Sequence, residues 1–164
     1  MKINYEDSGI EEILKKKYNQ DTILLIATAH DNVPSVRSVD GFYHEGSFWI
    51  ETDLNCNYVK EIQGNKYVMI SDGGHNRFWC NAIISGHPLE EKNLKIRKVY
   101  KKVFSNWYEQ VNNEKVDSLC FIKVTPYRGY IHKDKKGYDF NIDEDTVSVK
   151  DITHHIDVKL EPFW

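Results

Sequence analysis

The chain has 164 residues, of which 40% are apolar and 29% charged, and its formal net charge is −3. This length suits one compact domain with its own core, and the slight negative charge does not indicate a nucleic-acid-binding protein. No apolar run is long enough to cross a bilayer, and the N-terminal segment lacks the apolar core of a signal peptide, so we expect a cytoplasmic protein without a membrane partner. The three cysteines form no CxxC pair, which predicts reduced thiols rather than a zinc or disulfide framework.

The first half of the chain predicts one helix and three strands. Apolar residues at helical spacing predict a helix over Ile10–Tyr18. The β-rich apolar run Thr22–Thr28 predicts a buried strand, and a turn with Asp, Asn and Pro leads to a second strand over Ser35–Tyr43. A tight reversal at His44–Gly46 then connects to a third strand, Ser47–Thr52. Short connections of this kind predict an antiparallel meander.

The second half predicts two helices and three strands. A short helix is expected over Cys56–Gly64, followed by strands over Tyr67–Ser71 and Phe78–Gly86. A long helix is predicted over Leu89–Val111, and Asp117–Tyr130 is predicted as the last long strand. Five or six strands joined mostly by hairpins predict a mainly β, α+β protein, either a small barrel or a roll. A doubly wound parallel sheet is excluded because strands and long helices do not alternate.

The predicted long helix carries a basic stripe and two aromatic residues near its end. A solvated helix face is the preferred interpretation of the stripe, and a polyanion-binding surface is the alternative. Trp107 and Tyr108 could form the wall of a substrate pocket, although such residues more often belong to a core or a dimer contact. The basic residues are Lys92, Lys95, Arg97, Lys98, Lys101 and Lys102.

The segment after His132 is polar and predicts either a hairpin or an extended arm. Its apolar end, Leu160–Trp164, is expected to pack on the barrel or on a partner subunit. His154 and His155 could suggest a metal site with His132, but adjacent residues of a strand point to opposite faces. Surface imidazoles are therefore favoured, and no metal site is predicted.

Arg37 and Thr52 are the strongest candidates for a binding site. Arg37 lies between two valines in a predicted strand, where its charge requires an anion. That anion is either a carboxylate of the adjacent strand, Glu45 or Glu51, or a ligand. Thr52 ends the next strand, just before a helix whose first N–H groups attract anions. Since the two residues lie on consecutive hairpin strands, we expect them to converge on one phosphate.

The order of the segments IATAHDNVPSVRSV, GSFWIETD, VKEIQGNKYVMIS and NAIISG resembles the pyridoxamine 5′-phosphate oxidase-like split barrels, especially their general stress protein branch. The resemblance runs from about Thr22 to Tyr130 and includes DSLCFIKVTPYRGYIH, which is similar to the last barrel strand of the family. It implies a six-stranded antiparallel split β-barrel (a Greek-key roll) and a homodimer with FMN at the subunit interface. Residues 1–131 would form this domain, and residues 132–164 a C-terminal extension.

The resemblance also implies roles for individual residues. Arg37 stands where the family holds the phosphate, Ser38 and Val39 stand where it lines the flavin, and Thr52 is the threonine that ends the third strand. Asn81 stands where the family often has an amide or aromatic residue near the flavin ring.

The short helix departs from the family pattern. Asn57 and Tyr58 replace a basic residue and a lysine, and Lys60 lies two residues further on. Weaker FMN binding, or compensation by His75 or Arg77, is expected. The predicted cofactor-binding residues are Arg37, Ser38, Val39, Glu51, Thr52, Asn57, Tyr58, Lys60 and Asn81.

The sequence therefore predicts an FMN-binding protein, a flavin-dependent oxidoreductase whose substrate is unknown. FMN would carry hydride or electrons to or from a small-molecule substrate, and a nicotinamide reductant is one possible partner. No convincing acid–base residue is identified. The alternative is a non-catalytic flavin carrier or stress-related sensor, which the displaced lysine favours slightly. A barrel that binds single-stranded nucleic acid is disfavoured by the negative charge.

Overall fold

The structure is a computed structural model that describes residues 2–152. The histidines His154 and His155 and the apolar segment Leu160–Trp164 lie outside the described residues. The elements, in chain order, are β1 (Lys2–Ile3), α1 (Ile10–Tyr18), β2 (Thr22–His30), β3 (Val33–His44), β4 (Ser47–Asp53), α2 (Asn57–Gly64), β5 (Tyr67–Ser71), β6 (Arg77–Gly86), a 3-10 turn (Glu91–Asn93), α3 (Leu94–Val103), α4 (Tyr108–Val111), β7 (Leu119–Lys133), β8 (Lys136–Asn141) and β9 (Thr146–Asp151).

Strands β2 to β7 close into an antiparallel barrel. Their order is β7-β4-β3-β2-β5-β6, and β6 pairs again with β7. This confirms the predicted mainly β fold with six barrel strands. Beyond β7, the hairpin of β8 and β9 extends the sheet, and β1 adds to its outer edge. The polar segment after His132 therefore begins as a hairpin, and the division into a domain and an extension stays a prediction.

The barrel interior is filled from its strands and from α1 and α2. On β2 the buried residues alternate with more exposed ones, as expected for a strand with one face in a core. Helix α1 buries Ile10, Leu14 and Tyr18, which are spaced four residues apart and so share one face. Helix α2 adds Tyr58 and its neighbours to the same cluster. Both helices are thus held by apolar side chains of the core.

A second apolar cluster lies outside the barrel, where α3 and α4 cover β3, β4 and β7. The predicted long helix lies in this region, but it is divided between Val103 and Tyr108. Phe104 is fully buried. Trp107 is the N-cap of α4 and its ring centre lies 5.0 Å from that of Phe104, so the turn keeps both rings on the cluster. Ser105 and Asn106, which are poor helix formers, occupy the turn. The buried members of the cluster are Phe42, Ile96, Tyr100, Phe104, Tyr108 and Phe121.

The barrel is split between β3 and β4. The two strands pair from His44 and Ser47 back to Gly41 and Ile50, and there the pairing ends. At Gly41 a Cβ atom would lie 3.1 Å from both the Leu24 side chain and the carbonyl oxygen of Trp49, so glycine permits the close approach. Beyond this point β3 pairs only with β2, and a gap opens beside it.

The outer face of β3, β2, β5 and β6 is apolar and has no helix over it in the part of the chain that the structure describes. Val36, Ala27, Met69 and Trp79 lie opposite one another in consecutive strand pairs and form a row across this face. Val36 is 64% exposed, and Ile83 further along β6 is 61% exposed. We call this surface the bare face. A contiguous exposed apolar surface of this kind is typical of an interaction site.

Two further predictions concern the cysteines and membrane insertion. Cys56, Cys80 and Cys120 are free thiols, as expected, and the last two are buried. Among residues 2–152, no helix combines the length and apolar character that a membrane span requires. The cytoplasmic location stays a prediction.

Candidate functional site

A cavity of about 300 Å3 lies in the split of the barrel. One wall is β3, the opposite wall is the end of β4, and Tyr58 of α2 closes one side. The α3–α4 region supplies the remaining wall. The lining residues are Arg37, Ser38, Val39, Asp40, Glu51, Thr52, Tyr58, Tyr100, Trp107, Val111 and Asn112.

Six of the nine residues predicted to bind a cofactor line this cavity: Arg37, Ser38, Val39, Glu51, Thr52 and Tyr58. They meet there because β3 and β4 diverge after Gly41 and because α2 follows β4 directly. Whether they bind a ligand stays a prediction.

The other three predicted residues lie elsewhere. Asn57 and Lys60 line a separate cavity with His30 and Glu61. Asn81 lies on β6 opposite Tyr67 on one side and Thr125 on the other. The side-chain oxygen of Asn81 is buried and has no hydrogen-bond partner among the described residues.

Arg37 is bound on several sides by groups of its own chain. Its Nη1 donates to Thr28 Oγ1 at 2.5 Å, and its Nη2 donates to the hydroxyl of Ser35. The same guanidinium lies 3.5 Å from a carboxylate oxygen of Glu61 and 5.1 Å from the ring centre of Tyr58. Arg37 therefore lines the cavity with its charge already balanced by a carboxylate of α2.

The predicted ion-pair partners of Arg37, Glu45 and Glu51, were wrong. Glu45 lies 2.7 Å from Lys95, and Glu51 contacts Tyr108 and Asn112 instead. The strand pairing ends at Gly41, so the end of β4 diverges from β3. The carboxylate that pairs with Arg37 is instead Glu61 of α2.

The residues suggested as substitutes for the missing lysine do not line the cavity. Arg77 stacks on Tyr130, with 4.4 Å from its guanidinium carbon to the ring centre, and lines a cavity near β8 and β9. His75 lies against His132 in the same part of the barrel. Among the described residues that line the cavity, Arg37 is thus the one cation.

Glu51 is the most perturbed carboxylate of the cavity. Burial beneath the second cluster raises its pKa from 4.5 to about 7, although a hydrogen bond from the Tyr108 hydroxyl, at 3.1 Å, opposes the rise. Glu114 lies nearby and adds to the rise through charge repulsion. Asn112 donates to the other oxygen of Glu51. A carboxyl group with this pKa exchanges its proton near neutral pH, which suits an acid–base role.

Thr52 and Tyr58 supply neutral hydroxyl groups to the other side. The Thr52 hydroxyl lies 3.6 Å from the sulfur of Cys56. Burial raises the pKa of Tyr58 to about 12, so its hydroxyl remains a neutral hydrogen-bond donor at physiological pH. The cavity therefore offers donors, a paired arginine, aromatic rings and a carboxyl group.

The α3–α4 wall contains residues that the sequence did not assign to a binding site. Trp107 lines the cavity, as the pocket hypothesis suggested, whereas Tyr108 lies in the second cluster and contacts Glu51. Tyr100, Val111 and Asn112 were not identified as site residues. Helical spacing predicts which residues share a face, but not which strand that face covers.

The basic stripe of α3 is largely paired with carboxylates. Salt bridges join Lys92 to Glu90, Lys95 to Glu45, Arg97 to Glu114 and Lys101 to Glu109. This favours the solvated helix face over a polyanion-binding surface.

Neither a protein-family model nor a curated protein sequence matches this chain. Solved structures do match. A protein related to general stress protein 26, of the pyridoxinephosphate oxidase family, from Clostridium acetobutylicum is 16% identical with a TM-score of 0.58, covering 87% of this chain and 99% of that one. A pyridoxamine 5′-phosphate oxidase-related, FMN-binding protein from Nostoc punctiforme is 12% identical with a TM-score of 0.57, covering 92% and 98%.

The heme storage protein HutZ from Vibrio cholerae is 10% identical with a TM-score of 0.56, covering 73% of this chain and 89% of that one. The matching proteins thus include binders of different cofactors. At these identities the likeness shows the fold, and this chain has the split-barrel fold of the pyridoxamine 5′-phosphate oxidase-like proteins.

Proposed function

We propose that this split barrel binds a flavin, FMN in the first instance, in the cavity between β3 and β4, and acts as a flavin-dependent oxidoreductase on a small molecule. The observation that carries the proposal is that six residues predicted from the sequence line this one cavity. A flavin-binding protein without turnover is the second candidate, favoured by the balanced charge of Arg37.

The residues of the cavity fit the ring and side chain of a flavin. Trp107 and Tyr100 provide aromatic surface, and Val39 provides an apolar contact. The hydroxyls of Thr52 and Tyr58 provide hydrogen bonds at the side near α2. A bound flavin would supply the hydride or electron transfer, and the protein would position its ring and control its access to water.

Glu51 gives the oxidoreductase proposal a group for proton transfer. It lines the cavity and has a pKa near 7, so both of its protonation states are populated near neutral pH. Hydrogen bonds from Tyr108 and Asn112 hold its carboxyl group in place. We assign Glu51 as the residue that exchanges a proton with the bound substrate or reduced flavin.

The proposed assembly is a homodimer through the bare face. At about 300 Å3 the cavity is at the lower limit of ordinary ligand sites, so a second wall would improve burial of the ligand. Ser38 lines the cavity and lies opposite Leu25 on the same outer surface as Val36, so the bare face reaches the edge of the cavity.

The first test is the absorbance of the purified protein and its titration with FMN. We expect flavin absorbance that is released as FMN on denaturation, and bleaching by NADH or NADPH at a catalytic rate if the protein is an enzyme. Arg37→Ala should weaken FMN binding at least tenfold, because Glu61 then presents an unbalanced negative charge to the phosphate.

Lys17→Ala is the matched control, since Lys17 also pairs with a carboxylate, that of Asp72 at 2.7 Å, and lies over an aromatic ring, but it lines neither the cavity nor the bare face. A colourless protein that gains neither absorbance nor thermal stability with FMN would refute flavin binding. Equal FMN affinities of the wild type and Arg37→Ala would refute the assignment of Arg37 to the flavin site.

The second test measures assembly by sedimentation velocity. We expect a dimer for the wild type and a monomer for Val36→Glu, because the new charge would be buried in an apolar interface. Val36→Glu should also bind flavin more weakly than the wild type, because it lacks the second wall of the site. Leu89→Glu, which alters an exposed apolar residue outside the bare face, should remain dimeric. A monomeric wild type that still binds flavin would contradict the shared site.

A further inference from the structure

Glu61 accepts hydrogen bonds from the hydroxyl groups that surround Arg37. One of its oxygens, Oε2, accepts hydrogen bonds from Thr28 and from Ser35, the latter at 2.8 Å, and lies 3.5 Å from Nη2 of Arg37. Two hydroxyl groups and one guanidinium therefore surround a single carboxylate oxygen. This is the set of donors that typically holds a phosphate oxygen.

The donors are arranged so that little of their capacity remains for a ligand. Arg37 donates to both hydroxyl-bearing residues, and its Nη1 also lies 3.4 Å from the carbonyl oxygen of Ile26. The ring of Tyr58 covers one face of the guanidinium. An arriving phosphate would have to displace Glu61 or lie beside a second negative charge.

Glu61 is also held as an anion. Hydrogen bonds from Thr28 and Ser35 lower its pKa, and the charges of Arg37 and His30 contribute in the same direction. Its far side belongs to the cavity that Lys60 and His30 line. The side chains of Arg37 and Glu61 are each about one-quarter exposed or less, so water screens their interaction only in part.

We propose that Glu61 takes the place of the ligand phosphate at Arg37, so that the cavity recognises a flavin by its ring and ribityl chain and binds riboflavin about as tightly as FMN. The proposal rests on the proposed flavin-binding function. It makes Glu61 the residue that determines specificity between phosphorylated and phosphate-free flavins.

The test is a pair of titrations that follow the quenching of flavin fluorescence by the protein. For the wild type, the dissociation constants of riboflavin and FMN should agree within about fivefold. Glu61→Gln keeps the shape of the side chain and removes its charge, so it should tighten FMN binding at least tenfold while riboflavin affinity changes less than twofold. Glu12→Gln, which removes an exposed carboxylate of α1, is the matched control and should leave both constants unchanged.

A wild-type preference for FMN of more than fivefold would overturn the proposal. So would a Glu61→Gln variant in which the affinities for the two flavins change by the same factor, because the charge of Glu61 would then not act on the phosphate.

A second measurement does not depend on flavin. Inorganic phosphate, compared with chloride at equal ionic strength, should raise the melting temperature of Glu61→Gln more than that of the wild type. The additional change Arg37→Ala should abolish this difference. If the wild type binds neither flavin, the proposed function fails, but stabilisation of Glu61→Gln by phosphate would still support the role of Glu61. Equal effects of phosphate on the wild type and Glu61→Gln would overturn it.

Discussion

Glu51, which lines the candidate cavity, and Glu61, which contacts Arg37 of that cavity, have opposite electrostatic environments. Glu61 is surrounded by hydroxyl groups and a guanidinium, which lower its pKa. Glu51 lies under the helices of the second cluster, and burial raises its pKa to about 7. The two carboxyl groups are chemically the same, so the difference comes entirely from the elements that cover them.

The comparison separates two functions within one site. A carboxylate that stays charged can balance a cation, as Glu61 does for Arg37. A carboxyl group that titrates near neutral pH can give or take a proton, as proposed for Glu51. Under the proposed function, the side of the cavity near α2 would select the ligand by charge, and the side near α4 would exchange a proton with it.

The largest expected effect is the pH dependence of stability caused by Glu51. Its pKa is about 7 in the folded protein and 4.5 as the reference value, so the folded state binds more protons between these limits. Stability should therefore fall as pH rises from 4.5 to 7, by as much as about 3 kcal/mol. Glu51→Gln keeps a neutral side chain and should remove this loss.

Urea denaturation of the wild type and Glu51→Gln at pH 5 and pH 8 provides the measurement. The variant should be more stable than the wild type at pH 8, and the difference should shrink at pH 5. Glu12→Gln serves again as the control, because its carboxylate is exposed on α1. A difference in stability between the wild type and Glu51→Gln that does not change with pH would show that the pKa of Glu51 is not raised in the folded protein.

Glu61→Gln should have a smaller effect with the opposite dependence on pH. The pKa of Glu61 is lowered in the folded protein, so its stabilising effect is present above the unfolded pKa and is lost as pH falls through the folded pKa. At neutral pH the variant should be less stable by no more than about 1 kcal/mol, because the pair with Arg37 is partly exposed.

The same denaturation experiment, extended to acidic pH, checks this expectation. The stabilities of the wild type and Glu61→Gln should converge as Glu61 becomes protonated. A gap that widens toward acidic pH would mean that Glu61 is not held as an anion by its neighbours.

The sequence could predict the parts of the site that depend on local structure. Ile10–Tyr18 was predicted with the observed bounds, and the hairpin at His44–Gly46 brought Arg37 and Thr52 to one cavity. These features follow from periodicity and turn chemistry within short segments.

The partners of Arg37 and Glu51 could not be predicted in this way. Glu61 reaches Arg37 only because α2 packs on the barrel in one orientation. The apolar residues of α2, including Tyr58, fix that orientation by packing in the core. Glu51 is buried by Tyr108 and Asn112, which lie more than fifty residues later in the chain and follow the break after Val103. Sequence patterns contain the apolar faces of these helices but not the way in which they pack.

The smallest expected effect concerns the hydroxyl of Tyr108, which connects the two carboxylates on the helix side. It lies 3.1 Å from Glu51 and 2.9 Å from Glu114, and Arg97 binds Glu114 through two contacts of 2.6 Å. The Tyr108 hydroxyl has one proton and therefore cannot donate a full hydrogen bond to both carboxylates at once.

Tyr108→Phe should therefore raise the pKa of Glu51 further, because it removes a hydrogen bond that favours the charged form. The measurement is the pH midpoint of the difference in stability between Tyr108→Phe and the double variant with Glu51→Gln. This midpoint should lie above that of the pair with Tyr108 intact, and Tyr67→Phe, which changes an exposed tyrosine, should leave it in place. A downward movement would show that Tyr108 favours the neutral form of Glu51, and burial would then not be the only cause of its raised pKa.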